Sequence, residues 1–323
     1  MRLSIPFRAF GPGLIAASLL IGGVAGGLAG CDMGQFTVNT TAKVLVRGQP
    51  SLKMESDYEM AARAIPASLK TVEAFWVVNP GNKTLIGILT EGYCQYGIGF
   101  VEDEWEEAMI RKDFEAAQYH STRATKMFTR CMGYALKSLG GKWQEDLFAD
   151  GEGSFERAAA RIATAGPGQR TPLLWAALAL GSTINQNKDN MEMVGYAGIA
   201  KAMLFKVAEI DTKHPQRDPV LAAMPHLALG LVHTAVSPAL GGDPKKAEEH
   251  FLMALKLTDD RFLLARVHYA RRVGVATQNR KLFRDNLLKV LQTDPSIWPE
   301  QRLANEIAHR RARRYLKLEK ELF

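Results

Sequence analysis

Apolar residues recur at helical spacing along almost the whole chain beyond Ser51, and this periodicity constrains the fold more than any other feature. No run that alternates apolar and polar residues is long enough to predict a sheet. Glycine and proline clusters interrupt the pattern at intervals that suit helical hairpins; they are Asn79-Pro80-Gly81, Gly140-Gly141, Gly166-Pro167-Gly168, His214-Pro215, Gly241-Gly242-Asp243-Pro244 and Asp294-Pro295. The sequence therefore predicts an all-α domain over residues 52–323.

Local signals predict where the first helices begin and end. Ser56 and Glu59 have the spacing of a capping box, and Pro66 should kink the helix that follows. Further helices are predicted over about 85–108 and from near Asp113 to Gly140.

Several predicted hairpins resemble the tetratricopeptide repeat, in which small residues let paired helices approach closely. Leu227-Ala228-Leu229-Gly230 alternates large and small side chains, and Ala247 and Phe251 recur at helical spacing after a start at Asp243 and Pro244. We expect the helices that carry Gly230 and Ala247 to cross closely at these two residues. Because the spacing between hairpins is irregular, a degenerate repeat and an irregular helical bundle are both open.

The first thirty residues have the pattern of an export signal rather than of a folded domain. Arg2 and Arg8 precede a short uncharged run over 14–24, which is too brief and too rich in glycine for a permanent membrane span. Residues 1–30 are therefore predicted to be a signal peptide.

The segment that follows the leader predicts a membrane anchor. Leu28-Ala29-Gly30-Cys31 resembles the bacterial lipobox, so Cys31 is predicted to be lipidated; a plain secretory leader and an uncleaved anchor helix are the alternatives. Asp32 resembles an inner-membrane retention signal. Thr37 to Ser51 shows no helical period, and residues 31–51 are predicted to be a lipidated linker.

Charge and motif content exclude several classes of function. Lys+Arg 41 against Asp+Glu 34 gives a net charge of +7, which does not demand nucleic acid as a partner. The sequence contains no zinc-protease motif, no Cys-x-x-Cys pair, no nucleophile elbow and no phosphate-binding loop. It therefore predicts a protein that is not an enzyme and needs no cofactor.

Two charged or ligand-bearing patterns have weak functional interpretations. His226 and His233 are seven residues apart and could offer two metal ligands, although a packing role is favoured. The acidic run Glu102-Asp103-Glu104 with Glu106-Glu107 could provide paired carboxylates, but a solvated face beside Trp105 is favoured.

Cys94 and Cys131 both lie in the predicted mature chain, where an oxidising compartment would permit a disulfide. Cys131 falls at a small, buried helix position, whereas Cys94 lies about 200° around its helix from the packed face near Gly92. Two buried free thiols are therefore favoured over a disulfide.

The C-terminal segment is strongly basic. Arg310-Arg311-Ala312-Arg313-Arg314, Lys317 and Lys320 are partly balanced by Glu306 and Glu321, which predicts a solvated helix surface. Contact with anionic lipid headgroups is the alternative.

Ordered segments over about 51–295 resemble the T-component lipoproteins of tripartite ATP-independent periplasmic (TRAP) transporters. These segments are Ala67-Ser68-Leu69-Lys70, Asn79-Pro80 with Leu85, Tyr93 with Tyr96-Gly97 and Phe100-Val101-Glu102, Leu174-Trp175-Ala176-Ala177, and Gly241-Gly242-Asp243-Pro244-Lys245-Lys246-Ala247-Glu248-Glu249-His250-Phe251. The basic segment past Pro295 does not map onto the resemblance.

The resemblance implies a lipid-anchored, periplasmic accessory protein that forms a homotrimer and binds the transporter's extracytoplasmic solute receptor. It also implies an apolar channel, for which the candidate lining residues are Trp76, Tyr93, Tyr96, Phe100, Trp175, Leu178 and Asn185. A purely structural role in the core is the alternative for these side chains. A tetratricopeptide-like scaffold lipoprotein for outer-membrane assembly is the alternative function, and neighbouring genes for a solute receptor and a permease would discriminate between the two.

Overall fold

A computed structural model describes residues 33–323, and over this range the chain is helical, with no strand. This confirms the all-α prediction. The predicted signal peptide, Cys31 and Asp32 lie outside the described residues. The helices, in chain order, are α1 (Met33–Lys53), α2 (Tyr58–Val78), α3 (Lys83–Tyr96), α4 (Glu102–Ile110), α5 (Phe114–Leu139), α6 (Trp143–Leu147), α7 (Ser154–Ala163), α8 (Arg170–Gln186), α9 (Met191–Gly195), α10 (Ala197–Lys213), α11 (Pro219–His233), α12 (Pro244–Leu257), α13 (Leu263–Tyr269), α14 (Arg280–Gln292), α15 (Arg302–Lys317) and α16 (Glu319–Leu322).

Two π-helical segments interrupt this series of α-helices. Gly97–Val101 joins α3 to α4, and Ala270–Gly274 follows α13 directly. The helix predicted over about 85–108 is thus two α-helices joined by a π-helical turn. No helix within residues 33–323 is long and apolar enough to cross a lipid bilayer.

Two of the predicted helix starts agree with the structure. Asp113 and Asp243 accept hydrogen bonds from the backbone N–H groups three residues later and cap α5 and α12 as expected. The prediction for α2 is wrong by one residue, because its cap is Asp57, which accepts from Met60 N at 3.0 Å, and not Ser56. Pro66 lies inside α2, which continues past it.

The predicted linker after the leader is a helix. Val38, Ala42 and Leu45 of α1 are spaced by four and three residues, and they pack against the main core. Asn39 Oδ1 accepts hydrogen bonds from Asn79 Nδ2 at 3.0 Å and Asn82 Nδ2 at 2.7 Å, which ties α1 to the turn between α2 and α3. The expectation that Thr37 to Ser51 lacks helical structure is wrong because three apolar side chains suffice for a narrow buried stripe.

The buried apolar residues form three connected cores. The largest lies among α1, α2, α3, α5, α8 and α10 and receives Leu303 and Ile307 from α15. A second core lies between α11, α12 and α13, and a third between α13, α14 and α15. The helix α15 therefore contributes to both the first and the third core.

The crossing of α11 and α12 depends on small residues, as the sequence predicted. Ala247 is fully buried, and Gly230 faces the ring of Phe251, itself fully buried. A Cβ atom added at Gly230 would lie 2.7 Å from Phe251 Cζ, which is closer than van der Waals contact. Only glycine allows these two helices to approach to their observed distance.

Cys94 and Cys131 form a disulfide between α3 and α5, with their Cα atoms 5.4 Å apart. The prediction of two free thiols is wrong. It assumed that α3 packs on one face, where an added Cβ at Gly92 would overlap Leu69 of α2. The opposite face of α3 packs against α5 and α8, and the disulfide lies there. Closing a loop of this length constrains the unfolded chain by about 4 kcal/mol.

The acidic run of α4 is an ion-pair centre and not the predicted solvated face. Asp103 is fully buried and accepts hydrogen bonds from Arg310 Nε at 2.8 Å, Arg311 Nε at 3.0 Å and Arg314 Nη2 at 2.7 Å. Burial alone would raise the pKa of Asp103, but the three guanidinium groups, Arg311 foremost, hold the pKa well below its usual range. We call these four residues the Asp103 cluster.

The partners of the Asp103 cluster correct the prediction for the basic segment. Glu107 pairs with Arg310 at 2.6 Å, and Glu106 pairs with Arg314 and accepts a hydrogen bond from Tyr315 Oη at 2.8 Å. The basic helix α15 is thus largely sequestered; Arg313 and Lys317 are its exposed cations, and Lys320 is an exposed cation of α16. Glu306 pairs with Arg302 instead of Arg310.

Substituting Gly230 by alanine should destabilise the fold by about 1 to 3 kcal/mol, because the new methyl group overlaps a ring that is packed on all sides. Chemical denaturation followed by circular dichroism measures this loss. Gly133→Ala is the matched control, since the space around Gly133 in α5 is open; it should be neutral or stabilising by up to about 1 kcal/mol. Equal midpoints for the two variants would show that the α11–α12 crossing is loose.

Asp103→Asn should cost about 3 to 5 kcal/mol, because it leaves three guanidinium groups without their shared buried counter-ion. The depressed pKa of Asp103 stabilises the native state fully above the pKa of the unfolded carboxyl, about 3.9, and this contribution is lost as pH falls toward the folded pKa. The variant should therefore lose less stability than the wild type on acidification below about pH 4. Asp285→Asn, which removes an exposed partner of Lys281, should change stability by less than about 1 kcal/mol.

Candidate functional site

A surface cleft of about 270 Å³ lies where α1, α3, α5 and α8 meet. We call it the Trp175 cleft. It is lined by Val46, Gln49, Lys83, Thr84, Gly87, Ile88, Thr90, Glu91, Ser138, Thr171, Pro172 and Trp175. Most of these residues come from successive turns of α3 and from the first two turns of α8, so two well-packed helices form the wall.

Trp175 lines the cleft and is fixed in place by the residues packed around it. Its side chain is only 2% exposed, and its backbone oxygen lies 3.7 Å from Cys94 Sγ and 3.8 Å from Cys131 Sγ. The disulfide therefore supports the turn of α8 that carries the ring. Because Trp175 is almost completely buried, little of its ring is available to a ligand in the cleft.

The lining of the cleft is mixed in character. Val46, Ile88 and Trp175 provide apolar surface, while threonine, serine and glutamine side chains provide hydrogen-bonding groups around them. Lys53 Nζ donates to Glu91 Oε1 at 2.8 Å, which neutralises the carboxylate at this edge. With Lys83 as an additional cationic group, this lining suits a small amphipathic molecule.

Gly87 is an exposed lining residue with open space beside it. A Cβ atom built on it would meet no other heavy atom within 4 Å. A side chain at this position would therefore extend into the cleft without displacing the backbone. Neither Gly87 nor the threonines of the lining stood out in the sequence, because a single glycine or threonine within a helix has no distinguishing pattern.

Of the seven candidate channel residues, Trp175 lines this cleft and the others lie elsewhere. Trp76 and Tyr93 belong to an aromatic cluster with Tyr134, edge-on at 5.3 Å and stacked at 6.1 Å respectively. Burial, together with Glu73, raises the pKa of Tyr93 and of Tyr134, so both phenols stay protonated. This cluster joins α2, α3 and α5.

Tyr96 and Phe100 form a second aromatic cluster beside the first π-helical segment. Their rings stack at 5.5 Å, and Phe100 packs against Tyr58 at 4.8 Å. Leu178 and Asn185, both on α8, are half-buried, and Leu178 packs against the main core. The seven predicted channel residues thus lie in four places: two aromatic clusters, the Trp175 cleft, and two half-buried positions on α8.

A third histidine, His250, lies beside the predicted pair of His226 and His233. The three rings are not arranged to bind a metal ion. His226 Nδ1 lies 3.0 Å from His250 Nδ1, and the ring of His233 stacks on that of His250 at 5.6 Å. Burial, with the two neighbouring histidines, lowers the pKa of His250 to about 4. Within residues 33–323 no group of three or more histidine, cysteine or acidic side chains is arranged to hold a metal ion.

Comparison with known proteins identifies the family. The sequence model described as "TRAP transporter T-component" matches residues 54–323. The chain is also 22% identical over 262 residues to an uncharacterized protein of Treponema pallidum (strain Nichols), which covers 80% of this chain and 78% of that protein.

The matched region includes the basic helix α15, which the resemblance seen in the sequence did not reach. The segment past Pro295 is therefore part of the family domain and not an appended extension. Together with the all-α fold, a match over this length shows that the chain belongs to the TRAP transporter T-component family.

Proposed function

We propose that this protein is an accessory lipoprotein that binds the extracytoplasmic solute receptor of a TRAP transporter. The observation that carries the proposal is the family match over residues 54–323, which assigns the chain to a transporter component associated with the cell envelope. The family is one of transporter accessory proteins and not of enzymes. We infer that this chain likewise performs no catalysis.

In this proposal Cys31 is the lipidated first residue of the mature protein and Asp32 favours retention in the inner membrane. Support comes from the lipobox-like segment after a basic and apolar leader. The body is tetratricopeptide-like and assembles as a homotrimer at the periplasmic face of the membrane. With α1 packed on the core, its N-terminal residue Met33 stands two residues after the anchor, so the domain would sit close to the bilayer.

The Trp175 cleft is proposed to shelter a hydrophobic or amphipathic ligand. Its volume of about 270 Å³, its apolar wall and its surrounding hydroxyl and amide groups support this role. The four aromatic residues then position α3 and the π-helical segment that follows it; they are Trp76, Tyr93, Tyr96 and Phe100. Leu178 and Asn185 are half-buried residues of α8. The cleft is the place where cargo could pass between this protein and its receptor.

The receptor partnership can be tested with purified components. The solute receptor encoded beside this chain's gene should form a complex that elutes earlier in size-exclusion chromatography than either protein alone. A receptor from an unrelated ATP-driven uptake system is the control and should elute separately. If the adjacent receptor does not bind at about ten micromolar, while an outer-membrane assembly factor does, the scaffold function replaces the transport function.

Gly87→Phe should fill the Trp175 cleft and weaken the binding of the neutral hydrophobic probe N-phenyl-1-naphthylamine by about tenfold or more. Probe fluorescence measures binding, and thermal unfolding checks that the fold is retained. Gly195→Phe is the matched control, because that glycine is also exposed and open but lies on α9, away from the cleft. Equal probe affinity in the wild type and both variants would show that the cleft holds no hydrophobic ligand.

A further inference from the structure

The helix α1 presents a second surface, on the side opposite its buried stripe. At about 100° per residue, Met33, Phe36 and Val44 fall within an arc of about 80° that faces away from Val38 and Ala42. All three side chains are exposed, Met33 to 71% and Phe36 to 64%. Two large apolar side chains therefore stand in solvent within the first turn of the helix.

The end of α2 extends this apolar surface. Asn39, one turn after Phe36, accepts a hydrogen bond from Asn79 Nδ2 at 3.0 Å. Asn79 directly follows Val77 and Val78, which are 68% and 50% exposed. The hydrogen bond thus places the exposed end of α2 beside the first two turns of α1. Exposed apolar residues that are grouped in this way, rather than scattered singly, mark an interaction surface.

Cations accompany the apolar side chains on α1. Residues 33–54 contain three cations and neither aspartate nor glutamate; the acid Asp32 directly precedes this range. Lys43 and Arg47 are exposed, and both lie within about 20° of Phe36 around the helix axis. We call this surface the α1 outer face; it comprises Met33, Phe36, Lys43, Val44, Arg47, Val77 and Val78.

The position of the proposed lipid anchor indicates what covers the α1 outer face. Cys31 precedes Met33 by two residues, and two residues span at most about 7 Å. In the proposed lipoprotein the acyl chains on Cys31 enter the bilayer, so the first turn of α1 lies at the bilayer surface. The choice of a lipid surface as the occupant therefore rests on the proposed function.

Charge also favours a lipid surface over a second copy of this chain. A two-fold contact pairs one face with itself, and it would bring Lys43 and Arg47 of both copies together with no carboxylate on either α1. Anionic headgroups would instead neutralise these cations. Large apolar side chains beside basic residues are typical of helices that lie in the membrane interface.

We propose that the α1 outer face lies on the bilayer, with Met33 and Phe36 inserted at the level of the headgroups and Lys43 and Arg47 paired with anionic lipids. A single anchor at Cys31 leaves the body free to rotate, whereas a second contact along α1 fixes its orientation. The α1 outer face shares no residue with the Trp175 cleft.

Vesicle flotation of the mature chain, residues 31–323 with Cys31→Ser, tests this contact without an acyl chain. The probe is large vesicles of phosphatidylethanolamine and phosphatidylglycerol in a ratio of about 3:1, and phosphatidylcholine vesicles are the control. At low ionic strength the protein should bind the anionic vesicles at least about fivefold more tightly than the neutral ones. Absence of binding at about 5 mM anionic lipid, or equal binding to both vesicles, overturns the proposal.

The lipid anchor itself is tested separately, by fatty-acid labelling of cells that express the wild type or Cys31→Ser. Loss of labelling in the variant supports the anchor whether or not the acyl-free chain binds vesicles. Failure of the α1 outer face and failure of the proposed lipidation are therefore distinguishable.

The double variant Met33→Ser/Phe36→Ser should weaken binding to the anionic vesicles by about fivefold or more, because it removes the inserted side chains. The matched control is Leu252→Ser/Met253→Ser, which removes two exposed apolar side chains from α12 and should change binding less than about twofold. Equal losses in the two double variants would show general apolar adhesion and refute a specific face.

Light scattering of the same variants tests a second copy as the occupant. Because Met33 and Phe36 are exposed, their replacement should leave both the thermal midpoint and the oligomeric mass unchanged. A lower mass together with unchanged vesicle binding would show that the α1 outer face is a contact between subunits, which overturns the proposal.

A charge variant provides an independent readout. Lys43→Gln should weaken binding to the anionic vesicles by about fivefold, the effect of one cation close to an anionic bilayer. Lys256→Gln, which removes the same charge from an exposed position of α12, should change it less than about twofold. Equal weakening by both variants would attribute binding to net charge and would contradict the assigned face.

Discussion

The packing of α15 against α4 depends on the ion pairs of the buried Asp103 carboxylate. Its three arginine partners all come from α15, more than 200 residues later in the chain. A charge that is fully enclosed by protein must be paired, and removal of either side leaves the other unpaired in a low-dielectric setting. The helix α15 is therefore fixed against α4, and it brings Leu303 and Ile307 into the largest core. The position of α15 relative to α4 therefore depends on one buried acid.

This cluster also organises the first π-helical segment. Arg311 Nη2 donates to the carbonyl oxygen of Ile98 at 2.7 Å, within the π-helical turn that precedes Glu102. Arg310 lies over the ring of Tyr58, 4.8 Å from its centroid, and so extends the contact to α2. The arginines thus satisfy a carboxylate, a backbone carbonyl and an aromatic face together. This versatility is specific to guanidinium groups, and lysines at the same positions would not reproduce it.

The parts of the fold that sequence could predict are those encoded locally. Asp113 and Asp243 reveal their helix starts because a cap needs only a side-chain oxygen within three residues of its donor. Gly230 and Ala247 reveal a close crossing because small residues recur at helical spacing. Asp103 could not be recognised as buried, since its counter-charges are distant in sequence, and Cys94 could not be paired, since its helix packs on two faces. For the candidate site, Trp175 was identified through the family resemblance, while the role of Gly87 emerges only when α1, α3, α5 and α8 are brought together.

Helix α8 carries Trp175 near its start and the buried Gln186 at its end. Trp175 stands in its second turn and Gln186 is its last residue, so at 1.5 Å per residue they are separated by about 16 Å along the axis. Between them α8 presents Ala176, Ala177 and Ala179, all buried, so that α5 and α10 pack closely against it. A helix held in this way does not bend between its ends, because any local shift would overlap with its neighbours. Displacement of Trp175 would therefore require α8 to move as a rigid unit, and the disulfide next to Trp175 restrains that movement by linking the adjacent helices α3 and α5.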